Sequence, residues 1–344
     1  MAKRACQIPL LPVLGGGLFV TALGLSVWLC LASGSPPAEP TLTTYAAANV
    51  QSFVLPEGSG GGEGARVFQN IRRQPDAITA EYGCVNFNND ALRVKIVLPY
   101  EDLETYRRDY GYTRKELDDL LVWQRQALNE AFQTATKNRS TQAELDRTSE
   151  GIKQEYFRRH RELLMTRGFR FLSPTLLAPD IPAIVRRNVV PLRPLALSLN
   201  QMAESGDYDT DAIIGANLAL VQTALFYEVI PSEQNGRVSG GMQPPLLTLA
   251  AGKGDCDSKT ALLAATLLSW DNIRLVGVGV PNHYLLGILR NPAKGEMFVE
   301  YDGLHYVLVE PAGPGWLPPG SVGRNTLDLL NAGDGVMIEP LTAL

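Results

Sequence analysis

One cysteine and one histidine carry the chemistry open to this chain. Cys256 lies in Gly252-Lys-Gly-Asp-Cys-Asp-Ser-Lys-Thr260, a tight turn made of two glycines and two aspartates. From Ser258 to Trp270 the sequence reads as a helix that is apolar all round, hence central and buried. A cysteine at the N-terminus of such a helix faces unpaired N–H groups and the positive end of the dipole. That environment favours the thiolate and lowers the thiol pKa, which is how a cysteine nucleophile is activated. The competing reading is a structural cysteine packed in a core. A thiol nucleophile also needs a base that can protonate the leaving group. Of the three histidines, His160 falls in the basic run Arg158-Arg-His-Arg161 and reads as a solvated helix residue. His305 alternates within the strand Leu304–Val309 and reads as a strand-face residue. His283 follows the strand Ile273–Val280 and the turn Pro281-Asn282, at the mouth of the next strand, and is the preferred base. The imidazole needs a third group to orient it. Asp302 is one candidate, although Asp302-Gly303 is also what a tight hairpin requires. Glu310 is the preferred one, because a carboxylate straight after Val307-Leu-Val309 is costly unless exposed or paired. For the developing oxyanion, the Cys256 backbone N–H is one donor and Gln222 a second candidate, against an ordinary polar helix residue.

Three blocks, Gly254-Asp-Cys-Asp-Ser-Lys259, Asn282-His-Tyr-Leu-Leu-Gly287 and Tyr306-Val-Leu-Val-Glu-Pro311, together resemble the transglutaminase-like superfamily. Within it they are most similar to the bacterial cysteine-peptidase type, over about residues 210–320. The resemblance implies an α+β fold with a papain-like core, in which a buried helix bearing the cysteine packs on an antiparallel sheet. It matches Cys256 to the nucleophile, His283 to the base and Glu310 to the acid. The expected activity is thiol-dependent acyl transfer on an amide of a protein or peptide substrate, as a peptidase or amidase, with no cofactor. Cross-linking by a transglutaminase reaction is an alternative. From a different class, the same fold could serve as a non-catalytic envelope interaction or scaffold module, which a Cys84–Cys256 disulfide would favour.

Composition narrows the remaining classes. The 344 residues are 45% hydrophobic and 19% charged, enough for a packed core. With 31 Lys and Arg against 36 Asp and Glu the net charge is −5, which argues against a nucleic-acid partner. Three histidines, four cysteines and no Cys-x-x-Cys leave few ligands for a metal site. Lys3 and Arg4 precede an apolar stretch, residues 8–32, long enough to span a bilayer. Residues 1–34 therefore read as a membrane anchor or a cleaved signal peptide, and the remainder as exported: periplasmic or extracytoplasmic if anchored, secreted if cleaved. Without Lys3 and Arg4 the net charge falls to −7, and Cys84 and Cys256 are the cysteines left.

Residues 35–75, rich in Pro and Gly, read as a flexible linker. Residues 76–200 read as an accessory region and 201–344 as the transglutaminase-like domain. Leu92, Val94, Ile96 and Leu98 alternate as a strand. Thr113 and Glu116 form a capping box that opens a helix. A second helical run carries Leu145, Ile152, Tyr156 and Leu163, giving an antiparallel helical hairpin over about 113–167 that is available to an envelope partner. The five prolines between Pro174 and Pro194 argue against a long regular element there. A helix over about 210–227 leads into the cysteine block.

Overall fold

The computed structural model describes residues 41–42, 67–333 and 335–342. The anchor or signal segment, residues 8–32, and the glycine-rich stretch 57–65 lie outside the described residues. Among the described residues no helix is long and apolar enough to cross a membrane.

The chain is α+β. After the two-residue strand Thr41–Leu42 come three antiparallel strands: β1 (Phe68–Arg73), β2 (Ala77–Val85) and β3 (Ala91–Pro99). The period-2 pattern read at Leu92–Leu98 is the buried face of β3, where exposed and buried residues alternate along its whole length. Strand β1 falls inside the stretch expected to be linker. It forms because Ile71 packs on the core while its ladder runs from Phe68 opposite Gly83 to Arg73 opposite Ile78.

A short α1 (Tyr100–Asp109) leads to the helical hairpin, α2 (Arg114–Asn138) and α3 (Gln142–Thr166). The box at Thr113 is present: Thr113 Oγ1 accepts from the Glu116 N–H, and Glu116 returns an acceptor to the Thr113 N–H at 2.7 Å. A second box at Thr141 and Glu144 starts α3. No side chain of α2 is fully buried, whereas α3 buries Leu145, Tyr156 and Leu164.

Strands β4 (Phe169–Ser173) and β5 (Leu176–Pro179) form a small ladder, and α4 then runs from Ile181 to Ser205. This 25-residue helix overturns the expectation that the prolines preclude a long element. Pro182 occupies the first turn, where no N–H is needed. Pro191 and Pro194 lie inside the helix. The Arg187 carbonyl, whose helical donor Pro191 cannot supply, accepts instead from the Tyr106 hydroxyl at 3.3 Å. The apolar face Ile184, Val185, Leu192, Leu195 and Leu199 is buried, and that packing outweighs the propensity cost. The boundary read between residues 200 and 201 falls inside α4.

Helix α5 (Thr210–Ala219) ends in a π turn at Leu220–Ala224. Then come α6 (Pro245–Ala251) and α7 (Cys256–Leu267), with every residue of α7 buried. The C-terminal sheet holds β6 (Leu275–Val280), β7 (His283–Leu289), β8 (Phe298–Tyr301) and β9 (Leu304–Val309). Helix α8 (Arg324–Ala332) and β10 (Met337–Pro340) complete it. The order is β8-β9-β7-β6-β10, antiparallel throughout. One hydrophobic core draws Tyr82 and Val94 from the N-terminal sheet, Leu192 and Leu195 from α4, Leu262 and Leu263 from α7, and Leu286 from β7.

Candidate active site

Two turns set the positions of the nucleophile candidate and the base candidate, each at the start of its element. Gly252 ends α6 at φ +67°, in a place where a Cβ would sit 2.0 Å from Gln69 Oε1. Asp255 then caps α7, its Oδ1 accepting from the Ser258 N–H at 3.2 Å, so that Cys256 is the first residue of the helix. On the sheet, Pro281-Asn282 turns β6 into β7, and Asn282 takes φ +59°. Pro followed by a positive-φ Asn matches a type II turn. His283 therefore opens β7 opposite Val280. Helix and strand are joined beside it, where Thr260 Oγ1 donates to the Tyr284 carbonyl at 3.1 Å.

The structure pairs His283 with Glu310. The ladder sets Leu286 opposite Val309, so Glu310 leaves β9 just as β7 reaches His283. The His283 Nε2 to Glu310 Oε1 distance is 2.9 Å. Glu310 is held from the far side by α8: the Gly323 N–H donates to Oε2 at 2.6 Å and the Thr326 hydroxyl to Oε1 at 2.8 Å. These are the first turn and the cap of a helix, an environment that favours an anion. Burial alone would raise the Glu310 carboxyl. The hydrogen bond to His283, the imidazole charge, and the Gly323 and Thr326 donors outweigh it and hold the carboxyl below the ordinary glutamate range. A carboxylate accepting from Nε2–H fixes the proton there and leaves the basic lone pair on Nδ1.

The other candidates are elsewhere. Asp302 is exposed in the β8–β9 turn, at φ +51°, followed by Gly303 at +71°. Strand β7 pairs with β9 rather than with β8, which keeps Asp302 at the far end of that hairpin. His305 is exposed and lies against the Phe298 ring. His160 is half-buried and stacks on Tyr156 in α3.

Cys256 departs from one expectation. Its thiol is wholly buried, with no solvent exposure. Burial pushes the thiol well above its ordinary pKa, and the Asp257 and Asp255 carboxyls push in the same direction. The backbone N–H groups of Tyr284 and Asp257 favour the thiolate but do not outweigh this. Asp257 is itself held well above the carboxylate range by burial and by Asp255, with which it shares a hydrogen bond. The helix N-terminus is present, but water exclusion wins over the dipole. Cys84 and Cys256 are not joined in a disulfide; both are buried thiols.

Gln222 does not serve as an oxyanion donor. Its Nε2 donates to the Glu310 and Leu317 carbonyls at 2.7 and 3.1 Å, and its Oε1 accepts from the Leu317 N–H at 2.9 Å. It braces the loop that follows Glu310. At Gly313 in that loop a Cβ would meet the Gln222 carbonyl oxygen at 2.3 Å.

Sequence reasoning missed Lys259, one turn after Cys256. It is fully buried, and its Nζ donates to the carbonyls of Ala312 at 2.6 Å, Leu225 at 3.0 Å and Gln222 at 3.4 Å. Burial lowers its pKa to about 7. The signal was a lone lysine inside an otherwise apolar helix. Thr326 carried no comparable signal, because its role depends on how α8 docks. Among the described residues no group of three or more His, Cys, Asp or Glu side chains forms a metal site. Comparisons with protein-family models, curated proteins and solved structures found no match for this chain.

Proposed function

We propose that the chain is a thiol-dependent acyl-transfer enzyme acting on amide bonds of a protein or peptide, most simply as a peptidase or amidase. The observation that carries this reading is the 2.9 Å His283–Glu310 pair at the strand mouth, with the next backbone N–H, that of Tyr284, directed at the Cys256 sulfur. Glu310 orients the imidazole. Because the thiol is held neutral, His283 Nδ1 takes the thiol proton as the sulfur attacks the amide carbon, rather than storing a ready-made ion pair. The same proton passes to the leaving amine as the C–N bond breaks, and a thioester remains. Water, deprotonated by His283, then hydrolyses the thioester and restores the thiol. An amine in place of water would complete a cross-link instead.

The helix-borne cysteine, the antiparallel sheet with His on one strand and an acid at the end of its neighbour, and the three sequence blocks support a transglutaminase-like, papain-like core. The charged start and apolar run of residues 1–34 support an envelope location, anchored through residues 8–32.

One observation favours the second reading, a non-catalytic scaffold module: Cys256 is inaccessible and its thiol is pushed up. The full chain and its Cys256→Ala and His283→Ala variants, assayed against a peptide-amide library, separate the two. Hydrolysis by the parent that falls about a thousandfold or more in either variant supports the enzyme. Equal turnover in the Cys256→Ala variant, or none in the parent once the thiol is exposed, sinks it.

A further inference from the structure

Cys256 is fully buried, and one segment is tied to the first turn of its helix at both ends. The segment from Phe226 to Gln243 leaves the cysteine turn by a short parallel ladder, Phe226 opposite Lys253 and Tyr227 opposite Gly254. It then meets the start of α7 at two points. Tyr227 lies within electrostatic reach of the Cys256 thiol and of Asp255 and Asp257. The Ile230 N–H donates to Asp255 Oδ2 at 3.4 Å, and the Gln243 N–H donates to Ser258 Oγ at 2.9 Å. Both ends of the segment therefore close on the first turn of the cysteine helix.

Its middle is fastened elsewhere. Arg237 and Val238 pair with Thr113 and Tyr112, the residues that enter α2. The Arg237 guanidinium donates to the Gly111 carbonyl at 2.5 Å, and the Tyr110 hydroxyl donates to the Ser239 carbonyl at 2.7 Å. Gly111, at φ +79°, admits this approach, since a Cβ there would lie 2.8 Å from the Val238 carbonyl oxygen. From Pro231 to Gly236 the segment is exposed. This exposed middle belongs to the low-stability end of a fold and opens without global unfolding, while buried Ile230 and Met242 hold the two ends.

We propose that residues 226–243 form a strap that closes the Cys256 site and is latched at the foot of the α2–α3 hairpin by Tyr110, Gly111 and Arg237. Access to the thiol requires the latch to open. The consequence for turnover rests on the reading of Cys256 as nucleophile; the occlusion itself does not.

The test is iodoacetamide alkylation of the full chain, followed residue by residue by mass spectrometry. Three forms are compared with the parent: Tyr110→Phe with Arg237→Ala; a chain with a protease site inserted between Asn235 and Gly236, before and after nicking; and the two combined. Cys84, buried in β2, is the internal control. The strap predicts that Cys256 alkylation accelerates about tenfold or more on unlatching or nicking, with Cys84 unchanged. A Cys256 rate within about twofold of the parent in the nicked, unlatched chain overturns the strap. So does a Cys84 rate that rises in step, because the opening is then global. Amide hydrolysis measured on the same samples keeps the two proposals apart. Faster labelling without hydrolysis upholds the strap and overturns the enzyme reading. Hydrolysis that depends on Cys256 with labelling unchanged does the reverse.

Discussion

At the scale of single residues, Glu310 joins sequence to chemistry most directly. It accepts from three donors on two elements, and two of those donors belong to α8 rather than to the sheet. Glu310→Gln keeps the shape and removes the charge that stabilises an imidazolium. It also gives Nε2–H an amide that can present its NH2 group as readily as its oxygen, so the tautomer is no longer fixed. Turnover should fall by about a hundred- to ten-thousandfold with KM nearly unchanged, because the interaction strengthens only when His283 holds the proton. Steady-state kinetics on the parent's own substrate decide it; a variant with parental kcat removes Glu310 from the mechanism. Residue type and spacing single out Cys256, His283 and Glu310 as candidates, and the His283–Glu310 contact is the partner that a carboxylate after three apolar residues needs. They did not reveal the raised thiol. That depends on how completely α7, the strap and β7 exclude water, a property of packing that neither Asp255 nor Asp257 announces by position.

At the scale of elements, α7 and its lysine set the geometry. Lys259 binds the π turn after α5 and the loop after Glu310 to the helix that begins with Cys256. The helix itself was readable as buried from its apolar run. That the lysine would be buried with it was not, because three backbone carbonyls from two distant segments must converge to receive it. The same lesson holds for α4, whose prolines mislead until Tyr106 supplies the missing donor. A lysine whose folded pKa is depressed to about 7 loses its proton in the folded state while the unfolded chain keeps it to about 10.4. Between those values the unfolded state binds more protons, so stability rises with pH, by up to about 1.4 kcal/mol per pH unit. Lys259→Met removes that slope and leaves the Ala312 and Leu225 carbonyls without the lysine. The stability difference, parent minus variant, should therefore rise by about 2 kcal/mol between pH 7 and 9. Urea midpoints at the two pH values measure it. A difference that is constant or falls shows that the lysine stays charged in the fold.

At the scale of the whole described molecule, the site depends on elements read from the sequence as accessory. The Tyr82 ring of β2 is buried in the core that holds α7, and its hydroxyl donates to the Leu249 carbonyl at the end of α6. Trp316, in the loop after Glu310, donates from Nε1 to the Val85 carbonyl at 3.1 Å and rests on Phe87. Helix α4 presents Leu192, Leu195 and Leu199 to the same core. A chain cut after residue 200 would strip these partners from α7 and expose an apolar helix on several sides, and marginal stability does not survive losses of that kind. A run of prolines suggests the boundary, and local punctuation does not show that a helix crosses it. The expected behaviour is a single cooperative transition in denaturant, coincident by tryptophan fluorescence and far-ultraviolet circular dichroism. Amide protection in β2 and α7 should converge on one global value. Residues 201–344 expressed alone should fail to fold. Two separated transitions, or a fragment 201–344 with dispersed amide resonances, would instead make the N-terminal sheet a separate body. The Trp316–Val85 contact would then have to be dispensable to Glu310, so breaking it with Trp316→Phe would leave turnover intact. If the core is shared, the same substitution loosens the acid loop and lowers kcat while leaving a folded chain.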